Sequence, residues 1–270
     1  KNVSASSKRA KVNLFLRRWL WNPGKRAELD SIKHDLSLIG TEINEIFDYN
    51  FTVKKLENMG KADMNVGLCP FFSKGFLEYL NELSGVKYTN ASAPIGVDAT
   101  ADWLTSISDT LGLEANVREL DDYIELDRMR NDLRRRIGND SYCVIWNQTG
   151  DRMLALLGLA IELGMKPILV GVDPNAIKEK MCIFKKAVFE EKREALVYAS
   201  RYIDEVQELV DILDNPIIFC NDDYFPDKKV FRYRFARNEV YGFNGARKIY
   251  AAINEMLDKD VNRYSLFLEA

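Results

Sequence analysis

The sequence is poor in several residues and patterns on which large classes of protein depend. It contains one histidine, His34, so it offers no Ser/His/Asp catalytic set. Its four cysteines are far apart and form no CxxC pair, which excludes a secreted disulfide framework and fits a reducing, cytoplasmic location. No apolar run approaches the roughly 18 residues that a membrane-spanning helix needs. No Walker A sequence occurs either, so any ATP hydrolysis would belong to a partner.

Charge is also nearly balanced. The 38 basic and 41 acidic residues leave a net charge of -3, which favours neither nucleic acid nor an anionic membrane as a partner. The 270 residues, 47% of them hydrophobic, suffice for two globular domains. The chain begins at Lys1 with no methionine or signal peptide, so we expect a fragment of a longer protein.

Short apolar runs alternate with amphipathic helices along the chain, which predicts a doubly wound parallel sheet. The first series covers residues 11–112, and a second series covers residues 141–258, followed by a tail to residue 270. Between them, residues 113–140 hold a charged helix predicted from Leu113 to Ile137. The fold class is therefore α/β, with two Rossmann-like parallel-sheet domains joined by a long helix.

Individual residues predict where several elements begin and end. Thr52 should cap a short helix that ends near Gly60, and Thr100 or Asp98 should cap the helix that follows Pro94–Ile95–Gly96. Further elements are a strand Lys87–Ala93, a helix Ala176–Val188, a strand Val230–Phe235, and a closing helix Gly245–Leu257 after a tight turn bracketed by Gly242 and Gly245.

Cys69 lies where a predicted strand meets a predicted helix. The apolar run before it ends in Gly67–Leu68, and Pro70 suits the first turn of the helix that follows. In a parallel sheet this junction is the carboxyl edge, where ligands bind. The sulfur is therefore a candidate ligand, and the alternative is a buried structural thiol. We expect core thiols at Cys143 and Cys220 too, with Cys220, at the end of its strand, as a distant second candidate ligand.

A second junction of this kind follows the strand Tyr142–Trp146. Gly150 and Arg152 form the turn into the next helix, whose free N–H groups and positive dipole end favour an anion. The turn lacks the glycine fingerprint of a dinucleotide site, and an exposed arginine is the alternative.

Six stretches in collinear order resemble one family, nitrogenase component 1. They are Val12–Asn13–Leu14, Leu38–Ile39–Gly40, Ala62–Val66, Ala93–Thr100, Glu162–Pro167 and Val240–Arg247. The resemblance covers about Val12 to Leu257 and implies chains of three α/β domains with the metal site between them. This sequence would hold the second and third domains, and the first, which supplies most cysteines of the bridging cluster, would be absent.

The resemblance also implies roles for single residues. Cys69 stands where the molybdenum–iron α chain has the cysteine that holds one end of its catalytic cluster, so it would be a metal ligand. Arg152 stands where that chain has an arginine that points at the cluster. Tyr241 stands where it has a histidine ligand. Because tyrosine is a poor ligand for a molybdenum-type cluster, the scaffold, tetrapyrrole-reducing and uncharacterised branches of the family stay open. Cofactor-binding candidates are thus Cys69, Arg152, Tyr241 and Gly150.

Two functions follow from this resemblance. The first is an oxidoreductase subunit that receives electrons from an ATP-hydrolysing iron–sulfur reductase and reduces a substrate at a metallocluster or tetrapyrrole site between domains. Its partners would be that reductase and a like or homologous component 1 chain. In the full-length protein we expect an iron–sulfur-type metallocluster, and we expect the isolated fragment to be inactive. The second is a non-catalytic scaffold or binding module for a metallocluster, tetrapyrrole or small anion.

Overall fold

The computed structural model describes residues 9–16, 24–48, 52–68, 70–89, 91–146, 151–171, 196–199, 203–213, 216–219 and 239–258. Its strands are β1 Ala10–Phe15, β2 Thr41–Phe47, β3 Met64–Gly67, β4 Lys87–Tyr88, β5 Tyr142–Trp146, β6 Lys166–Gly171, β7 Leu196–Ala199 and β8 Ile217–Phe219. Its α-helices are α1 Gly24–Leu38, α2 Val53–Met59, α3 Pro70–Ser84, α4 Val97–Leu111, α5 Asp121–Ile137, α6 Asp151–Glu162, α7 Ile203–Ile212 and α8 Gly242–Asp258.

The strands form two parallel sheets, which confirms the predicted fold class. The first sheet has the order β2-β1-β3-β4 and the second the order β7-β6-β5-β8. In each sheet the chain moves outward on one side of its first strand and then crosses to the other side. The topological switch points therefore lie between β1 and β3 and between β5 and β8, and ligands bind at such points in open α/β sheets. We call the first sheet with α1–α4 the first lobe, and the second sheet with α6 and α7 the second lobe.

The central strands are apolar because helices cover both faces of a parallel sheet. All of β3 is buried, and so is β5 from Cys143 to Trp146. Cys143 is fully buried, and this burial raises the pKa of its thiol well above the ordinary value. The prediction that Cys143 is a core thiol is confirmed, and Cys220 lies outside the described residues.

One hydrophobic cluster runs through both lobes. It includes Val12 and Leu14 of β1, Ile145 of β5 and Ile249 of α8. Helix α8, although it follows the second sheet in the chain, packs against α1, α4 and α5. The two lobes thus share an apolar core. Helix α8 lies on the first lobe and on α5, which we call the connector helix.

Two predicted elements have different bounds in the structure. The connector helix begins at Asp121, after a 3-10 turn Val117–Glu119, because Leu120 takes an extended conformation that interrupts the helical run. The predicted strand from Lys87 to Ala93 pairs with β3 only over Lys87–Tyr88. The predicted helix Ala176–Val188 and strand Val230–Phe235 lie outside the described residues, and the division into domains at residues 112 and 141 stays a prediction.

Candidate functional site

The first switch point is built as predicted, with a strand that passes directly into a helix. Strand β3 ends at Gly67 and α3 begins at Pro70. A Cβ on Gly67 would lie 2.3 Å from Ser73 Oγ, so glycine lets the first turns of α3 pack close against the strand end. Cys69 itself lies outside the described residues, so its role as a metal ligand stays a prediction.

At the second switch point a strand is also followed by a helix, and residues 147–150 between them lie outside the described residues. Strand β5 ends at Trp146 and α6 begins at Asp151, so the backbone of Arg152 lies in the first turn of α6. Gly150 and the Arg152 side chain lie outside the part of the chain that the structure describes. An anion at this helix start remains a prediction, as does the grouping of Cys69, Arg152 and Tyr241 in one site.

Tyr241 lies in a segment whose backbone is held by the first lobe. The N–H groups of Val240 and Tyr241 donate to Glu28 Oε1 of α1, over 2.9 and 3.4 Å. The N–H of Gly242 donates to the Pro94 carbonyl over 2.9 Å, and Tyr241 is only 2% exposed. We call Val240–Phe243 the α8 entry segment; Tyr241 is placed by main-chain contacts to α1 and to the loop before α4.

Asp35 of α1 completes this contact. The N–H of Phe243 donates to Asp35 Oδ2 over 3.0 Å. Gly242 has φ +75°, and a Cβ there would lie 2.0 Å from Asp35 Oδ2, so the approach of the carboxylate requires glycine. The tight turn predicted between Gly242 and Gly245 is wrong, because both residues belong to α8; Gly245 is needed since a Cβ there would lie 2.3 Å from the Val240 carbonyl carbon.

A third carboxylate, Glu162 at the end of α6, reaches the first turn of α4. The N–H groups of Val97 and Asp98 donate to Glu162 Oε1 and Oε2, over 3.1 and 3.0 Å. The Tyr250 hydroxyl of α8 donates to Glu162 Oε1, and the Tyr250 oxygen lies 3.3 Å from the Val97 nitrogen. A Cβ on Gly96, at φ +94°, would lie 2.8 Å from Glu162 Oε2. Three helices therefore meet at this side chain.

The predicted cap of α4 by Thr100 or Asp98 is wrong. The helix begins earlier, at Val97, and no side chain of its own N-cap residue, Gly96, closes it. The Thr100 hydroxyl donates back to the Gly96 carbonyl, and the Asp98 carboxylate accepts hydrogen bonds from Tyr123 and Arg130 of α5. Both predicted caps are engaged elsewhere, and Glu162 takes their place.

Burial raises the pKa of two of the acids that cap these helices. Desolvation raises the pKa of Glu162 to about 7, with further repulsion from Asp98, although hydrogen bonds from Tyr250 and two backbone N–H groups lower it. Desolvation likewise raises the pKa of Asp35 to about 7, with repulsion from Asp122, while the Phe243 N–H and Arg247 lower it. Perturbed carboxyl groups of this kind mark functional or structural junctions.

The described residues do not by themselves form a metal site. Within them no group of three or more His, Cys, Asp or Glu side chains is arranged to hold an ion. The His34 side chain is 61% exposed, 3.8 Å from Asp122 on the outer surface, as expected of a helix residue that faces solvent. Cys143 is buried within β5. These donors do not fit a metallocluster, so any cluster would depend on Cys69 and other residues beyond the described ranges.

Sequence reasoning missed the acids that organise this junction: Glu28, Asp35 and Glu162. A signal for two of them exists, because Glu28 and Asp35 share one face of α1 with the buried Ile32, and acids at inward-facing positions need partners. Glu162 lies in the last turn of an apolar helix, and nothing in the sequence around it indicates that it caps α4.

Comparisons with known proteins agree with this architecture. The sequence matches the family model of the Nitrogenase component 1 type Oxidoreductase over residues 1–258. A subunit of the light-independent protochlorophyllide reductase of Bradyrhizobium sp. (strain ORS 278) is 31% identical over 90 residues, which span 33% of this chain and 17% of that protein. The corresponding subunit from Heliobacterium modesticaldum (strain ATCC 51547 / Ice1) is 26% identical over 87 residues, 32% of this chain and 16% of that protein.

Among solved structures, one of nitrogenase Cp1 at pH 6.5 superposes with a TM-score of 0.65 at 18% identity, covering 93% of this chain and 60% of that one. A second, of nitrogenase Cp1 at pH 5, superposes with a TM-score of 0.57 at 13% identity and covers 57% of that chain. These two structures share its fold, and this chain spans less than two thirds of each. No helix among the described residues is long and apolar enough to cross a membrane. With its match over residues 1–258, the chain belongs to the nitrogenase component 1 type oxidoreductase family.

Proposed function

We propose that this chain is part of an oxidoreductase subunit that reduces a tetrapyrrole-type substrate with electrons from an ATP-hydrolysing iron–sulfur reductase. The observation that carries the proposal is the family match over residues 1–258, together with two relatives that are subunits of light-independent protochlorophyllide reductases. The second subunit of the complex would be a like or homologous component 1 chain.

The chemistry of the described residues supports a tetrapyrrole rather than a histidine-ligated cluster. Tyr241 stands where the resembling α chain has a histidine, and the one histidine of this chain lies on the exposed face of α1. The described side chains hold no metal-ligand group. A flat, largely apolar substrate needs apolar walls more than metal ligands.

Cys69 and Arg152 would then serve at the carboxyl edges of the two sheets. The β3 to α3 junction would present the Cys69 sulfur as a ligand to an iron–sulfur-type group in the complete protein, since soft thiolates favour iron. The first turn of α6, with Gly150 and Arg152, would bind an anionic group of the substrate such as a carboxylate.

The test is a comparison of two cysteine variants of the natural protein that contains this chain, expressed anaerobically with its neighbouring gene products. We expect Cys69→Ala to lose iron and sulfide, to change the electron paramagnetic resonance spectrum, and to reduce ATP-dependent protochlorophyllide reduction at least tenfold. Cys143→Ala removes a buried core thiol and is the matched control, expected to keep metal content and spectrum.

Three outcomes would contradict parts of this proposal. Unchanged iron, sulfide and spectrum in Cys69→Ala would remove Cys69 from the site. Pigment or cluster binding without any turnover in the unmodified protein would favour a scaffold or binding module. Reduction that proceeds without ATP and the partner reductase would exclude the proposed electron donor.

A further inference from the structure

Helix α8 joins parts of the molecule that are distant in the sequence. It follows the second sheet in the chain, yet it packs against α1, α4 and α5. Its inward residues, among them Phe243, Ile249 and Ile253, are fully or nearly fully buried. Because so much apolar surface lies against the first lobe and the connector helix, α8 cannot leave without exposing core.

The first turn of α8 is attached to α1 by two buried acids. Glu28 and Asp35 are 3% and 1% exposed, and between them they accept N–H groups of Val240, Tyr241 and Phe243. These N–H groups lie at a helix start, where no intrahelical carbonyl is available to them. The α8 entry segment therefore depends on the first lobe for its hydrogen bonds.

Two turns further along, α8 is attached to the second lobe. Tyr250 is fully buried and its hydroxyl donates to Glu162 of α6. The same Glu162 carboxylate accepts the first N–H groups of α4, at Val97 and Asp98. Helix α8 thus connects α1, α4 and α6 through buried hydrogen bonds. The bonds that α8 and its entry segment make themselves join residues that are 88 to 213 positions apart in the sequence.

We propose that α8 and its entry segment act as a strap that locks the two lobes together, with Glu28, Asp35 and Glu162 as its points of attachment. When the strap is released, the start of α8 loses its acceptors Glu28 and Asp35. Glu162, which accepts the first N–H groups of α4, at the same time loses the Tyr250 hydroxyl that holds it in place. The contact between the lobes is then broken as a unit. A contact with two such discrete states is the kind of element on which a conformational change depends. This inference holds whichever substrate the protein reduces.

The decisive variant is Gly242→Ala, measured by hydrogen exchange and mass spectrometry of the natural protein that contains this chain. The new Cβ would lie 2.0 Å from Asp35 Oδ2 and force the entry segment away from α1. We expect exchange to accelerate at least tenfold in the first turn of α8 and also in Val97–Thr100, although the N–H of Gly242 itself bonds Pro94, which precedes that segment. The matched control is Gly85→Ala, which has a similar φ of +69° but open space around it, and which should accelerate exchange only near the end of α3.

A second variant keeps the test decisive if Gly242→Ala does not fold. Tyr250→Phe removes only the hydroxyl, which donates to Glu162 and lies 3.3 Å from the Val97 nitrogen, and it should accelerate exchange about threefold in both helix starts. Tyr79→Phe, at an exposed position of α3, is its control. Acceleration confined to one helix start, or no change at either, in the variant that folds would overturn the strap.

Discussion

Helices α2 and α4 are capped in different ways, α2 by a residue next to it in the sequence and α4 by a residue of the other lobe. The difference distinguishes helices that depend on local contacts from helices that depend on contacts across the molecule. The N-cap residue of α2, Thr52, accepts the N–H of Lys55 over 3.2 Å, three residues along the chain. The N-cap residue of α4, Gly96, contributes no side-chain bond, and the acceptor comes from Glu162 in the second lobe. A local cap stabilises one helix, whereas a remote cap makes one helix depend on the position of another.

The surroundings of the two caps differ as well. No residue of α2 is buried, so water can replace the Thr52 hydroxyl if it is lost. Val97 at the start of α4 is fully buried, and Glu162 is 8% exposed. Unsatisfied N–H groups cost far more free energy in a buried place than in water. Removal of the capping side chain should therefore lower the free energy of unfolding much more at the start of α4 than at the start of α2.

The largest expected effect is that of Glu162→Ala. Two buried N–H groups and the Tyr250 hydroxyl would lose an acceptor and the side chain would leave a void, so we expect a loss of about 3–5 kcal/mol in the free energy of unfolding. Urea denaturation at pH 6 measures it. Glu114→Ala, an exposed acid in the loop after α4, is the control and should change stability by less than about 0.5 kcal/mol. A loss in Glu162→Ala as small as that of the control would mean that α4 does not depend on the second lobe.

The same comparison explains what the sequence could predict of the fold. The start of α2 at Thr52 was predicted correctly because cap and helix are neighbours in the chain. The central strands β3 and β5 were predictable because parallel strands read as short apolar runs. The predicted start of α4 was wrong, because a local pattern contains Thr100 and Asp98 but not a glutamate that is 64 residues away.

For the candidate site, the sequence could predict position but not contacts. The junctions around Cys69 and before Arg152 follow from where β3 and β5 end, and the structure has those ends at the switch points. The main-chain contact of Tyr241 was not predictable, because its partner Glu28 is 213 residues away and approaches only in the folded chain. Nonlocal hydrogen bonds of this kind leave no periodicity in the sequence.

A second effect, of no larger size for either single group, should appear in the pH dependence of stability. The ordinary pKa values of Asp35 and Glu162 are 3.8 and 4.5, and both rise to about 7 in the folded protein. The folded protein therefore binds these protons more tightly than the unfolded chain does. Their contribution to stability is fully present below about pH 4 and is lost as the pH rises through 7, by up to roughly 3–4 kcal/mol for each group.

Urea denaturation between pH 4.5 and 8 measures this dependence, and the double variant Asp35→Asn, Glu162→Gln is the comparison. The groups that face the two acids, Asp122 and Arg247 around Asp35 and Asp98, Arg130 and Tyr250 around Glu162, remain in place in that variant. We expect its stability to fall less across this range than that of the unmodified chain. Equal slopes would show that other groups determine the pH dependence.

The smallest effect should come from the local cap. Thr52→Ala removes one hydroxyl acceptor for the Lys55 N–H at an exposed helix start, so we expect a loss of about 1 kcal/mol. Hydrogen exchange should accelerate only within Val53–Met59, and Val97–Thr100 should be unaffected. Thr52→Ser, which keeps the hydroxyl, should restore most of the loss. If Thr52→Ala instead loosened α4 or α8, the division between local and shared helix starts would be wrong, because α2 would then also depend on contacts that reach across the molecule.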